Sequence, residues 1–305
     1  MINYVININE NDSFALSCCS TVDLSAEKLE ALGVSYACFH YFLDGKEFSD
    51  DLGKTVSIKD FYDAMVAGAD TKTSQINAAE FEIYFEEILK KGKDILHISL
   101  SSGLSGSYRS ASIAANELRE KYPDRKIVVV DSLGASSGFG LLTSIAADMR
   151  DEGKTIEEIA KWLEENRLKL HLWFFSTDLT FFVKGGRVSK AAGWFGTALK
   201  ICPLLNMNFE GKLTPREKIR TKPRVIKAIV DKMIANADGG TDYAGKCYIS
   251  HSDCMEDALA VKTLVEESFK NLAGKVEIYD IGTVIGSHTG PGTVALFFIG
   301  SERAD

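Results

Sequence analysis

The residues best suited to chemistry fall in five short stretches of the 305-residue chain. The first is ILHISLSSGLSGSYRSASIAANELREK, where an apolar run passes through Ser101, Ser102, Gly103, Leu104, Ser105, Gly106 and Ser107 into a helical pattern. Backbone N–H groups at a helix start, joined by hydroxyls, form an anion cradle, and the helix dipole favours negative charge there. Glycines at 103 and 106 let the backbone approach such an anion closely. A Ser-rich loop that merely caps its own helix fits the same residues, so both readings stand. The segment is not a P-loop, because no Gly-Lys-Ser/Thr follows, and its glycines lack dinucleotide-fold spacing. A nucleophile elbow from Gly103 would need glycine at 107, where Ser107 stands.

Four further stretches add candidates. VIGSHTGPG, with glycines at 286, 290 and 292, reads as a rigid loop around His288, which is either structural or a ligand for an anion. Thr73-Ser74-Gln75 sits in a polar stretch before a helix and is either turn chemistry or a donor cluster. Lys184-Gly185-Gly186-Arg187 breaks a helix at its glycine pair and presents a cation. Lys218 to Lys222 concentrates positive charge on an otherwise acidic chain, as a solvated face would also do.

The elements that must carry these stretches alternate in the first half. Apolar runs at 14–19, 34–42, 94–100 and 126–132 read as strands and alternate with helical patterns, the signature of βαβ units around a parallel sheet. Ser25 starts a helix that Gly33 stops, because glycine takes the left-handed position past a helix end cheaply. Ser57 with Asp60, Asn77 with Glu80 and Thr155 with Glu158 mark three more helix starts. After about residue 169 the texture changes. KLHLWFF reads as a strand, residues 181–200 as two helical pieces broken at Gly185–Gly186, and residues 201–220 as a hairpin turning at Glu210–Gly211. An amphipathic helix follows at 223–236, with strands in KCYISHS, KVEIYDI and TVALFFI. The expected fold is α/β with two domains: a parallel-sheet α/β/α domain over 1–168, and an α/β domain over 169–305 with a mixed, largely antiparallel sheet.

Composition narrows the function. Hydrophobic residues make up 45% of the chain and charged residues 26%, which is enough to build a large core. The net charge of -8 argues against nucleic acid or anionic membrane as main partner, since both need clustered Lys and Arg. No run approaches the ~20 apolar residues of a membrane span, and the N-terminus has no secretory pattern. Six scattered cysteines, without zinc spacing, read as reduced thiols in a cytoplasmic protein.

The order of the five stretches resembles the DegV family of bacterial fatty-acid-binding proteins, which includes the FakB subunits of fatty acid kinase. Ser20 to Leu24 matches the latter part of the family's TDSTADL, Thr73-Ser74-Gln75 its TSQ, and Ser101 to Ala111 its SS-x-LSGTY-x-SA. Gly185 to Ser189, Lys218 to Thr221 and Gly286 to Gly292 match GGR-x-S, K-x-R-T and GSHTGPG. The chain departs at Cys18-Cys19, where the family has Thr-Asp, and at Ser107, where it has threonine.

The resemblance implies a non-catalytic protein with an interior apolar cleft between two domains, holding one long-chain fatty acid. The positions matching Thr73, Ser74, Ser105, Gly106 and His288 would hold its carboxylate. That carboxylate would be presented to a separate dihydroxyacetone-kinase-like fatty acid kinase, with Arg187 and Arg220 on the surface as docking cations. No metal or cofactor is expected. The alternatives are a Ser/His hydrolase using Ser105 and His288, and a phosphate- or nucleotide-binding α/β module.

Overall fold

A computed structural model describes residues 2–9, 11–188 and 201–303. In chain order, β1 (Tyr4–Val5), β2 (Ala15–Cys19) and β3 (Val34–Ala37) are followed by β4 (His40–Leu43), β5 (Lys46–Ser49) and β6 (Thr71–Ser74), then β7 (Ile95–Ser99) and β8 (Ile127–Asp131). Five of these form a sheet in the order β1-β3-β2-β7-β8, parallel except at β1. The other three form a small antiparallel sheet, β5-β4-β6. The expected single strand over 34–42 is therefore two strands in different sheets. Cys38 N–H donates to Asn3 O and Phe39 O accepts from Asp50 N–H, so the chain changes partners at that point.

The intervening helices are α1 (Ala26–Ala31), α2 (Ile58–Val66), α3 (Ala78–Leu89), α4 (Ser107–Lys121), α5 (Ser137–Asp151) and α6 (Ile156–Asn166). Their starts follow local sequence. Ser57 Oγ accepts from Asp60 N–H, while the Asn77/Glu80 and Thr155/Glu158 pairs each close a reciprocal capping box. Gly33 past α1 and Gly68 past α2 both take positive φ, as the stop signals require.

The second half contributes β9 (Leu170–Ser176), α7 (Thr180–Lys184), β10 (Ile201–Met207), β11 (Leu213–Arg220), α8 (Lys222–Asn236), β12 (Tyr248–His251), α9 (Met255–Ser268), β13 (Glu277–Asp280), α10 (Thr283–Thr289) and β14 (Thr293–Ile299). Its six strands run β11-β10-β9-β14-β12-β13, antiparallel throughout except between β12 and β13. The mixed, largely antiparallel reading holds. The second helical piece expected within 181–200 lies mostly on residues 189–200, outside the described residues.

Period-2 alternation divides the work of this sheet's two faces. Trp173, Phe175, Leu296 and Phe298 face α8 and α9 in one core, while Leu172, Phe174, Ala295 and Phe297 face the larger core shared with the parallel sheet. One expectation is corrected here: residues 283–289 form the helix α10 and not a loop around His288. Glycine at 286 hides that helix in the sequence, yet it is needed. A Cβ there would collide with the hydroxyl of Tyr62, which donates to Ile281 O.

Candidate functional site

A cavity of about 370 Å³ lies over the inward face of the six-stranded sheet, within the roughly 300–1,000 Å³ usual for small-molecule sites. Its floor is a block of cross-strand neighbours: Ala295 pairs with Phe174, and Phe297 with Leu172, all four lining the cavity. Along one side runs a stripe from α10 and the residues before it. Ile281 just before the helix is followed at helical spacing by Val284, Ile285, His288 and Thr289, so one face of a short helix presents two aliphatic side chains and then a polar end. Leu100, Leu104 and Phe182 close the apolar part.

The polar end gathers residues far apart in sequence. Thr73 is on β6, where pairing of Tyr41 with Thr73 fixes the strand's register. His288 reaches it from the last turn of α10, with Thr73 Oγ1 and His288 Nε2 2.8 Å apart. His288 Nδ1 is buried against Gly185 and has no partner among the described residues. An orphaned buried N–H is rarer than an orphaned acceptor, so the ring carries its proton on Nε2 and donates to Thr73, whose own hydroxyl proton remains for the cavity. Burial, with the neighbouring Arg187 cation, pushes the His288 pKa down to about 4, and the ring is neutral at neutral pH.

Ser105 enters from the turn before α4. Its hydroxyl donates to Gln75 Oε1 at 3.2 Å and accepts from Ser107 N–H at 3.2 Å, so the loop does cap its own helix. Gln75 Nε2 in turn donates to Ser110 Oγ, which ties β6 to α4. The remaining first-turn N–H groups of α4 have no intrahelical acceptor, as at any helix start. The glycines also serve packing. A Cβ at 103 would strike the backbone of Glu210 and Gly211 in the β10–β11 turn, and a Cβ at 106 would strike the Gln75 amide.

Thr73, Ser74, Ser105 and His288 all line the cavity, with Gly106 beside Ser105. Arg220 does not; it is exposed at the end of β11. Arg187, expected on the surface, is half-buried and lines the polar end. The chain doubles back at Gly185–Gly186, where Gly186 takes a φ of 72°, and turns the guanidinium inward to donate to Gly185 O and Leu104 O. No acidic side chain pairs with it among the described residues. Gln75 and Arg187 were both visible in motifs, but nothing local announced that their side chains would meet Ser105 and His288.

This geometry speaks against a hydrolase. Ser105 bonds to Gln75 and His288 to Thr73, so the proposed nucleophile and base do not engage each other. Nor, among the described residues, does a carboxylate orient the imidazole, whose Nδ1 has no partner there. Among the described residues no group of three or more His, Cys, Asp or Glu could hold a metal, and no helix is long and apolar enough to cross a membrane.

Fold and site together define a class: a mixed α/β protein with an internal cleft that gathers polar groups around Thr73, Ser105 and His288 and is mostly apolar elsewhere. The chain belongs to the DegV family, whose model, described as an uncharacterised protein family, matches residues 14–301. It is 38% identical over 287 residues to a DegV domain-containing protein of Clostridium perfringens, covering 93% of this chain and 96% of that one. It is also similar to a hypothetical protein of Thermotoga maritima whose structure reveals fatty acid binding function, at 27% identity and a TM-score of 0.81 over 95% of this chain and 100% of that one. A fatty-acid-binding DegV family protein from Thermus thermophilus matches at 26% identity and a TM-score of 0.83, with the same coverage.

Proposed function

We propose that this chain is a non-catalytic carrier that binds one long-chain fatty acid, with the tail along the α10 stripe and the carboxylate at the polar end. The observation that carries the reading is a single cavity whose apolar length ends at Thr73, Ser105, His288 and the guanidinium of Arg187, which has no acidic partner among the described residues. Such an end suits one buried anion. The fatty acid binding of the Thermotoga and Thermus relatives supports the same ligand class.

The energetics agree. Burying one CH₂ contributes about 0.8 kcal/mol, so a tail of about fifteen methylenes has an upper drive on the order of 12 kcal/mol before ordering costs. The head group then needs only to be satisfied. The Thr73 hydroxyl, the open amides around Gly106, Ser74 at the rim and, once it turns away from Gln75 Oε1, the Ser105 hydroxyl supply donors without a bidentate clamp, which leaves the carboxylate free to react. We take residues 1–168 and 169–305 as the two domains that flank this cleft. A separate acyl kinase would phosphorylate the presented carboxylate, with the exposed Arg220 among the cations that dock it. A cytoplasmic setting fits the six free cysteines.

Mass spectrometry of an organic extract from purified protein tests the reading. Co-purified fatty acid at about one per chain is the expected result, and a bound nucleotide with no fatty acid would reverse it.

A further inference from the structure

The far end of the cavity, opposite His288, is closed by an arrangement that packing alone does not explain. Ser136, which lines the cavity, donates its hydroxyl to Asp23 Oδ2, and Asp23 Oδ1 accepts from Gly282 N–H at 3.0 Å. Asp23 and Gly282 face the other way and line a second cavity of about 420 Å³, whose walls combine apolar Leu24, Ile58 and Ile278 with the charged Glu27, Lys54 and Asp280. Neighbouring residues 281 and 282 thus belong to different cavities, and the two spaces stand back to back.

The backbone at this wall is strained. Ser136 holds φ 54° and ψ −151°, a region that is comfortable essentially for glycine alone. Glycine would relax the turn, yet a serine stands there, and its hydroxyl is engaged by both Asp23 and Ser250 Oγ. Strain of this kind persists where the side chain is needed. Without that hydroxyl, Asp23 loses one of its two anchors and the partition between the cavities thins.

We propose that the Ser136–Asp23 pair is the end wall of the acyl cavity and sets the longest fatty acid the protein accepts, with the second cavity as the space that a longer tail fills when the wall is opened. This rests on the fatty-acid reading above and adds to it a determinant of chain length.

The test compares delipidated wild type with Ser136→Gly for binding of saturated acids from hexadecanoic to docosanoic. In wild type, affinity should collapse beyond a limiting length. In Ser136→Gly the limit moves to longer acids, and the longest gains at least about tenfold relative to hexadecanoic acid. Adding Ile58→Trp, which puts a larger side chain into the second cavity, should cancel that gain. If Ser136→Gly does not fold, Ser136→Ala removes the same hydroxyl and carries the same comparison. An unchanged length profile, or a gain that survives Ile58→Trp, overturns the wall while leaving the fatty-acid reading in place. Wild type that binds none of these acids overturns both.

Discussion

The two ends of α10 are built on opposite principles. At its C-terminal end His288 is largely buried, neutral, bonded through one nitrogen and, among the described residues, without a partner at the other. At its N-terminal end two carboxyl groups are buried. Asp23 takes the Gly282 N–H and the Ser136 hydroxyl, and Asp50 takes the Thr283 hydroxyl at 2.8 Å. Burial raises the pKa of both acids, for Asp23 well above the ordinary carboxylate value. One end keeps hydrogen-bonding capacity in reserve, and the other spends most of it on cohesion, with Asp50 Oδ2 left unpaired among the described residues. A ligand site and a structural clamp can therefore share seven residues of helix, provided each end answers to a different part of the chain.

The largest effect should follow from breaking the clamp. Asp23→Ala strands the Gly282 N–H and the Ser136 hydroxyl in a buried setting, and each unpaired group costs about 1–3 kcal/mol. The expected loss of unfolding free energy is about 2–4 kcal/mol, read as a lower urea midpoint at unchanged slope. Stability equal to wild type would mean that α10 is not held from this end. Asp23 also has a pH signature. Its folded pKa is raised above its unfolded value, so the native state binds the extra proton, and its contribution is full below the unfolded pKa and lost as pH rises through the folded one. Asp23→Asn should remove that alkaline loss.

Next in size is the open end. Thr73→Ala should weaken fatty-acid binding by about 1.5–3 kcal/mol, the worth of a hydrogen bond to a charged group, and Ser105→Ala by less, because its hydroxyl gives up the bond to Gln75 Oε1 to meet the ligand. Calorimetric titration of delipidated protein measures this. Neither change should approach the stability loss at Asp23. An open-end mutant that unfolds as readily as Asp23→Ala would erase the distinction between the two ends.

The clamp and the open end were unequally legible in the sequence. Capping pairs such as Asn77/Glu80 and the continuous apolar run TVALFFI are local, so they located α3 and β14 directly. The motif residues Thr73, Ser105 and His288 were named as one site because a family resemblance joined them; spacing alone would not have done so. What escaped was non-local. Gly286 reads as a helix breaker until Tyr62 is seen packed against it, and Cys38–Phe39 reads as mid-strand until Asn3 and Asp50 claim its backbone. Arg187 reads as surface charge because a basic residue after two glycines usually is one. Only the positive φ at Gly186 turns it inward.

A smaller effect tests whether His288 senses the ligand. A bound carboxylate beside the ring should raise its pKa from about 4. The added affinity is then present below the free-state pKa and is lost as pH rises through the bound-state value. Binding should tighten by about 1 kcal/mol as pH falls from about 7 to 5, and His288→Gln should flatten the profile. A flat wild-type profile would place the carboxylate away from the ring.

The smallest expected effect separates the two arginines that sequence alone treated as a pair. Arg187 sits at the cavity's polar end, whereas Arg220 is exposed on the last residue of β11, at the edge of the six-stranded sheet. A surface charge far from buried partners usually changes stability or ligand affinity by less than about 0.5 kcal/mol. Arg220→Glu should therefore leave fatty-acid affinity at the wild-type value. Its effect should appear only with a cognate kinase, as slower association whose salt dependence is reduced, because a rim cation acts on encounter more than on the bound state. Arg187→Glu places a carboxylate against the ligand's own carboxylate and should weaken lipid binding before any kinase is added. Equal lipid affinity in the two charge reversals would mean that Arg187 takes no part in holding the head group, and the polar end would then consist of Thr73, Ser105 and His288 alone.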